Sequence, residues 1–372
     1  MTAPANIIGA ACAFPSGPTL PLADCALRAQ LALLKRHPVY ADRCGFPVRA
    51  SYFADSAFGF DAARWCALAA SVLEELVSGL GDQRVEQRCQ LWLVLPHSGR
   101  GGVPIDLLER LFERLGDSVF DWERINTVHG GHAVGVHAVR QAAHAVSAEQ
   151  MTAVVLAVDS WLHPEALQVL ERARLLHAAH STHEGKAVAN PYGRIPGEGA
   201  AAVVLAPSAA QPSAWTEALH RQAQRPRPFA PAAWAQLSAA AVSEEPLTFD
   251  QTKPCIGQGL ASAAAQALVD AGTGLVNRIS TDITSEPYRA DELGFATLRL
   301  AEALAPGWKR TTHAVVSGDL GAASAIVQLA LAAYGMRRRP AAQAERQLIL
   351  CSSDNTLRAA MVVDSLPQPI PT

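Results

Sequence analysis

The chain has 372 residues, more than one average domain, and its 49% hydrophobic against 17% charged residues supply a core able to bury roughly 75% of the unfolded surface. Thirty-one basic against 34 acidic residues, a net charge of −3, leave no electrostatic footprint for a phosphate backbone or an anionic membrane, so nucleic-acid and membrane partners are excluded. Seven cysteines, odd in number, scattered and never in a CxxC pair, argue against a disulfide framework and a zinc knuckle and fit a reducing cytoplasm.

The first residues, MTAPANIIGAACAFPSG, carry no basic region, and the apolar stretches break at Asp or Pro well short of the ~20 residues of a membrane span. Neither a secretory leader nor a transmembrane segment is expected. Continuous apolar runs at 6–13, 90–96, 152–159 and 200–206 predict strands buried on both faces. Helices are predicted over 60–79, 107–115, 131–147 and 164–179. Residues 207–246, rich in Ala, Pro, Ser and Gln around RPRPFAPAA, read as a linker or irregular crossover. The alternation then returns, with helices at 256–271 and 322–334 and strands at 274–282, 313–317, 347–352 and 359–363; the tail LPQPIPT is expected to be loose. The division is therefore 1–206, 207–246 and 247–372, two α/β halves of similar element order joined by a crossover.

The most specific string is NPYGRIPGEGAAAVVLA at 190–206, where glycines at 193, 197 and 199 demand a tight backbone approach ahead of a buried strand. It resembles the β-ketoacyl synthase branch of the thiolase superfamily, whose members carry G-F-x-x-G-E-G-A before a core strand. Gly193, Gly197, Glu198, Gly199 and Ala200 match, and Arg194 replaces the aromatic residue. NTVHGGHAVGVHAVRQAA resembles the nucleophile segment; with His137 as the family's helical histidine, His129 stands where the catalytic cysteine belongs, followed by Gly130 and Gly131. SGDLGAAS resembles G-H-x-x-G-A-A-G with Asp319 at the histidine. STDITSEPYRAD resembles H-G-T-x-T-x-x-G-D with Asp282 at the other histidine, Pro287 and Asp291 setting the register. The gatekeeper segment survives only as CSSDNTLRAAMVV, without its glycines and phenylalanine.

The resemblance implies a thiolase-like α/β fold, a five-layered αβαβα core from two duplicated halves, and a homodimer. It also implies that the site residues are His129, Asp282 and Asp319 in place of the family's Cys-His-His. Ketosynthases attack a thioester with a thiolate at a helix N-terminus while two histidines stabilise the enolate. An acyl-imidazole would instead hydrolyse, and two carboxylates would repel an enolate, so Cys-dependent condensation is disabled in this alignment. One imidazole and two carboxylates are open to three readings: a metal site, a His base oriented by Asp for thioester hydrolysis, or a vestigial pocket whose aspartates cap helices or bond His129. Three substitutions in one site arise more easily by lost selection than by a new mechanism, which favours the vestigial reading.

The expected function is thus a ketosynthase-like protein lacking the catalytic Cys, with an accessory, acyl- or pantetheine-binding or scaffolding role. The rival is an acyltransferase or thioester hydrolase on acyl-CoA or acyl carrier protein, working through His129, Asp282 and Asp319. No resident cofactor or metal is expected; acyl-CoA or acyl-pantetheine is the expected ligand. The resemblance names an acyl carrier protein as partner and extends to stand-alone relatives encoded beside bacterial secretion effectors, so an effector partner is a further expectation. Elsewhere, HGGH at 129–132 offers two imidazoles, and His177, His180 and His183 run at i, i+3, i+6, which would place the first two on one helix face; they read as surface histidines rather than ligands. GRGG at 99–102 lacks the Lys-Ser/Thr that completes a phosphate loop and reads as a turn.

Overall fold

Where the sequence has continuous apolar runs, the computed structural model has strands buried on both faces; it describes residues 3–54, 59–80, 89–116, 118, 120–208, 233–248, 253–338 and 344–366. The first half contributes β1 (Ala5–Ala13), a hairpin of β2 (Lys35–Ala41) and β3 (Pro47–Ala50), β4 (Cys89–Pro96), β5 (Trp122–Gly130), β6 (Ala153–Ser160), a second hairpin of β7 (His180–His183) and β8 (Lys186–Ala189), and β9 (Glu198–Pro207). The second half contributes β10 (Ala235–Glu244), β11 (Val276–Thr281), β12 (Leu304–Thr312), β13 (Arg346–Ser352) and β14 (Leu357–Asp364). The helices are α1 (Leu20–Ala29), α2 (Ala62–Leu80), α3 (Leu107–Gly116), α4 (Val134–Glu149), α5 (Pro164–Arg172), α6 (Gln258–Ala271), α7 (Pro287–Arg299), the short α8 (Ala314–Ser317) and α9 (Ser324–Arg337). Among the described residues no helix is long and apolar enough to cross a membrane.

Ten strands follow one hydrogen-bonded order, β12-β11-β13-β14-β10-β1-β9-β6-β4-β5. The seam is β1 against β10, antiparallel from Ala5 opposite Leu237 to Ile7 opposite Ala235. Counted outward from that seam, each half runs first strand, fifth, fourth, second, third, with antiparallel pairs near the seam and parallel pairs beyond. The duplication legible only as element order is therefore a duplication of topology.

Alternation along the strands sorts the side chains into three apolar layers. In β6, Ala153, Val155 and Ala157 face α4 and α9, while Val154, Leu156 and Val158 face α2 and α3. In β14, Ala359, Met361 and Val363 face the central pair, and Ala360 and Val362 face α6 and α7. Both halves thus cover one shared pair of helices, the thiolase-like αβαβα arrangement. The middle layer explains α4 and α9: α9 is buried from Ser324 through Ala333, as a helix apolar on all sides must be. The two helices touch closely, since a Cβ on Gly135 would lie 2.8 Å from that of Ala325. The helix expected to be central and buried at 131–147 is α4, which lies in the middle layer but is buried on one side only, Gln141, His144 and Ser147 being exposed.

Four sequence expectations are corrected. Residues 207–246 are not all crossover, because β10 lies within them; its Ala-rich AQLSAAAVSE has only Leu237 and Val242 as large apolar residues, too few to mark a strand. Residues 209–232 of that stretch, and 367–372 of the tail, lie outside the described residues. The strand expected at 313–317 is the short helix α8, and the true strand is β12, whose LAPGWKRTT is half exposed at the sheet edge. The helix expected over 164–179 ends at Arg172; Arg174 and Ala178 take left-handed φ values of 57° and 60°. His180 and His183 consequently sit on strand β7, and His177 and His180 share no helix face.

Candidate functional site

The strand ends of both halves deliver charge to one place, where ligands of α/β sheets usually bind. The GEGA segment enters β9 directly against the loop before α9. Ile195 O accepts from Asp319 N at 2.7 Å, Gly197 N donates to Asp319 O at 3.1 Å, and a Cβ on Gly197 would lie 2.4 Å from the Ser317 carbonyl oxygen. Only glycine allows that approach. Glu198 is fully buried and takes two bonds from Arg64, at 2.7 and 2.6 Å, and one from Phe53 N at 2.8 Å. Its role is structural.

Arg194 lies at the centre of the charged groups with no exposed surface. Its Nε and Nη2 donate to Glu286 Oε1 at 2.8 and 2.5 Å, and its Nη1 and Nη2 donate to the two oxygens of Asp354 at 3.1 and 2.8 Å. Asp319 Oδ2 lies 3.1 Å from Nη1. A second guanidinium, Arg289 on α7, donates to Asp354 Oδ1 at 3.1 Å, with Glu286 Oε2 at 3.2 Å and Asp282 Oδ1 at 3.7 Å. The imidazole of this lattice belongs to His132, 1% exposed, two residues before α4. Its Nε2 lies 2.7 Å from Asp319 Oδ1 and its Nδ1 lies 3.4 Å from Arg289 Nη2. Arginine has only donors, so Nδ1 accepts and Nε2–H donates to Asp319.

Burial opposes ionisation of Asp319, but His132, Arg194 and Arg289 overcome it and hold the carboxyl well below the usual range. Asp319 Oδ1 also caps the turn ahead of α9 through Gly321 N at 2.8 Å. Asp354 follows the same pattern, burial being outweighed by Arg194 and Arg289. Asp282 moves the other way: burial dominates and raises it, despite Arg289, His132 and a bond from Ser352 N at 3.0 Å. His313, behind the site, is pushed down to about 4 by burial, partly offset by Asp319 and by a backbone bond to Thr281.

Of the three residues expected to converge, the structure brings together Asp282 and Asp319 but not His129. His129 is exposed on β5 and its Nδ1 lies 3.1 Å from Pro96 O. The strand runs on through Gly130, so the turn into α4 falls at 131–133 and the inward-facing imidazole is His132, three residues later. HGGH is therefore not a two-imidazole site. Arg194, Glu286, Arg289 and Asp354 were also missed; a charged residue inside the glycine-rich string at 194 was the visible signal for the first. GRGG is a turn in which Arg100 pairs with Asp159 at 2.9 and 2.5 Å and stacks over Trp161 at 4.1 Å.

Above the lattice opens a cavity of about 370 Å3. One wall is apolar (Ala166, Val169, Leu170, Leu175), the other carries Arg100, His132 and Asp354, and the glycines 130, 131 and 321 line it between them. Among the described residues no cysteine lines it. A larger groove of about 770 Å3 follows α7 and β12 away from the lattice.

No protein-family model and no curated protein sequence matches the chain. Solved structures do match its fold. A chain of a type II polyketide synthase complex, an acyl-carrier protein with its ketosynthase bound to the hexaketide, superposes with a TM-score of 0.75 over 98% of this chain and 100% of that one, at 12% identity. An oxazolomycin ketosynthase domain from Streptomyces albus JA3453 gives 0.72 over 100% and 76%, at 13% identity. The ishigamide ketosynthase/chain length factor gives 0.64 over 98% and 100%, at 15% identity. At such identities the likeness is one of fold: the chain has the ketosynthase, thiolase-like architecture.

Proposed function

We propose that this chain is a ketosynthase-like accessory protein that binds an acyl or acyl-pantetheine group without condensing it. The observation that carries the reading is the engagement of His132 by Asp319 on one nitrogen and Arg289 on the other, at the floor of a cavity in which glycines occupy the neighbouring positions. An imidazole with both nitrogens engaged offers the cavity no lone pair, and so is neither base nor nucleophile. Two paired aspartates supply no stabilisation to an enolate, whose charge they repel. The apolar wall beside a few polar groups keeps the chemistry of a site for an amphiphilic ligand.

An acyl carrier protein is the proposed donor of that ligand, by analogy with the complex matched in fold. A homodimer is proposed through the exposed edge of β5, where Glu123, Arg124, Ile125, Thr127 and His129 lie on the surface. A secretion-effector partner and a cytoplasmic setting remain part of the proposal. The hydrolase reading that relied on His129 has no convergent trio to support it.

Calorimetric titration with octanoyl-CoA, followed by intact-mass measurement, tests the reading. Saturable binding weakened by Leu170→Trp, which fills the cavity, with no mass adduct is the expected result. An acyl adduct on any cysteine, or turnover of the thioester, overturns it, as does the absence of binding.

A further inference from the structure

Outside the lining of that cavity, three potential ligands meet from three segments of the second half. Glu245 directly follows β10, Cys255 lies three residues before α6, and Glu292 is on α7. One ligating atom from each lies within 4.8 Å of the others, and the residues are only 1%, 5% and 1% exposed. Spacings of ten and 37 residues hide this group from any inspection for paired ligands.

We propose that Glu245, Cys255 and Glu292 form a zinc-class divalent-metal site that fastens the start of α6 to β10 and α7. Four observations support it. Glu292 Oε2 is buried with no hydrogen-bond partner, a costly state for a carboxylate oxygen unless a cation meets it. Its other oxygen is held by Arg358 Nε, whose guanidinium is itself fixed on the carbonyls of Ser353, Asn355 and Leu357 at 2.9, 2.6 and 3.0 Å. Glu245 is oriented in the same way, its Oε2 accepting from Gly259 N at 2.8 Å, and outer-layer bonds of this kind are what aim ligating carboxylates. Finally, two carboxylates and one guanidinium leave a buried net charge of −1 with Cys255 as a thiol; a dication with Cys255 as thiolate brings the sum to zero.

The donor set of one sulfur and two carboxylates selects a borderline-soft ion over magnesium or calcium. On binding, the S–H bond of Cys255 breaks, its proton leaves to solvent, and a Zn–S bond of about 2.3 Å forms beside Zn–O bonds of about 2.0–2.2 Å. The site is structural, since it closes over the first turn of α6 and none of its three ligands lines the acyl cavity.

The full chain, stripped with chelator, is titrated with Zn2+ by calorimetry and with Co2+ by absorbance. One equivalent of saturable binding, a thiolate-to-cobalt charge-transfer band that zinc displaces, and a raised thermal midpoint are expected. Cys255→Ser loses the band and binds at least about tenfold more weakly, and Glu292→Gln, which keeps the thiol and the shape, also weakens binding. Absence of saturable binding by the wild type overturns the proposal, as does a band that persists in Cys255→Ser; should that variant not fold, unchanged binding by Glu292→Gln does so.

Discussion

Replacing Arg194 by methionine removes the guanidinium and keeps its length, leaving Glu286, Asp319 and Asp354 around the vacated space. Breaking one partner out of a buried ion pair costs about 3–5 kcal/mol, because the remaining charge stays desolvated. Here Arg289 still contacts Glu286 at 3.2 Å and Asp354 at 3.1 Å, and His132 still holds Asp319 at 2.7 Å, so the lower end applies. The expected loss is about 3 kcal/mol at pH 7 in equilibrium urea unfolding. Its pH dependence has a definite sign. In the wild type the carboxyls of Asp319 and Asp354 are depressed, so their contribution is present above the unfolded-state value and lost only as pH falls through the folded one. Without Arg194 the folded carboxyls take up protons at higher pH, which relieves the penalty, so the difference between variant and wild type shrinks toward about pH 4.5. A loss below about 1 kcal/mol at pH 7, or one that does not shrink on acidification, refutes this account of the lattice.

His313, depressed from 6.5 to about 4, makes the folded state lose stability as pH falls from the unfolded value to the folded one, by on the order of 3 kcal/mol; His313→Leu flattens that window in urea titrations, and an unchanged pH profile contradicts it. His132→Ala opens a buried polar gap and lowers stability by about 2 kcal/mol, whereas His129→Ala stays within about 0.5 kcal/mol; equal effects in thermal unfolding would argue against the placement of the two imidazoles. Gly197→Ala forces a Cβ to 2.4 Å from a backbone oxygen and destabilises by more than about 2 kcal/mol, and a neutral result would mean that the GEGA segment does not lie against the loop before α9. Light scattering is expected to give twice the 39.3 kDa chain mass, and a monomer at every concentration rejects pairing through β5.

The layers legible in the sequence are those where local pattern and tertiary role agree. β4, β6 and β9 are buried on both faces and read as uninterrupted apolar runs, and α4, hemmed in by both halves, reads as alternating Ala, Val and Gly. Two of the strands that escaped notice, β5 and β12, occupy the same outermost place in their two halves. An edge strand exposes one face and one row of backbone groups, so it tolerates WERINTVHG or LAPGWKRTT and carries no periodic signal. That blindness propagated into the site. Without the end of β5 the turn into α4 could not be placed, and counting back from His137 landed on a residue of the strand instead of the turn.

Arg194 shows the complementary case, a departure from the resembled motif that is meaningful only once long-range partners are known. Its acceptors come from α7 and its approach, the loop before α9, and the connection between β13 and β14, all in the second half, while Arg194 itself precedes β9 in the first. The lattice therefore ties the two halves to each other. A catalytic centre needs a group whose proton or lone pair is free to face the substrate; here the guanidiniums, carboxylates and imidazole mostly face each other, with only Asp354 about one-third exposed. Mutually paired charges of this kind specify register more than they stabilise, since their desolvation offsets most of their attraction. A cavity whose floor is tied into such a lattice is what the proposed accessory reading requires: room for an acyl group above, and an imidazole below with both nitrogens engaged.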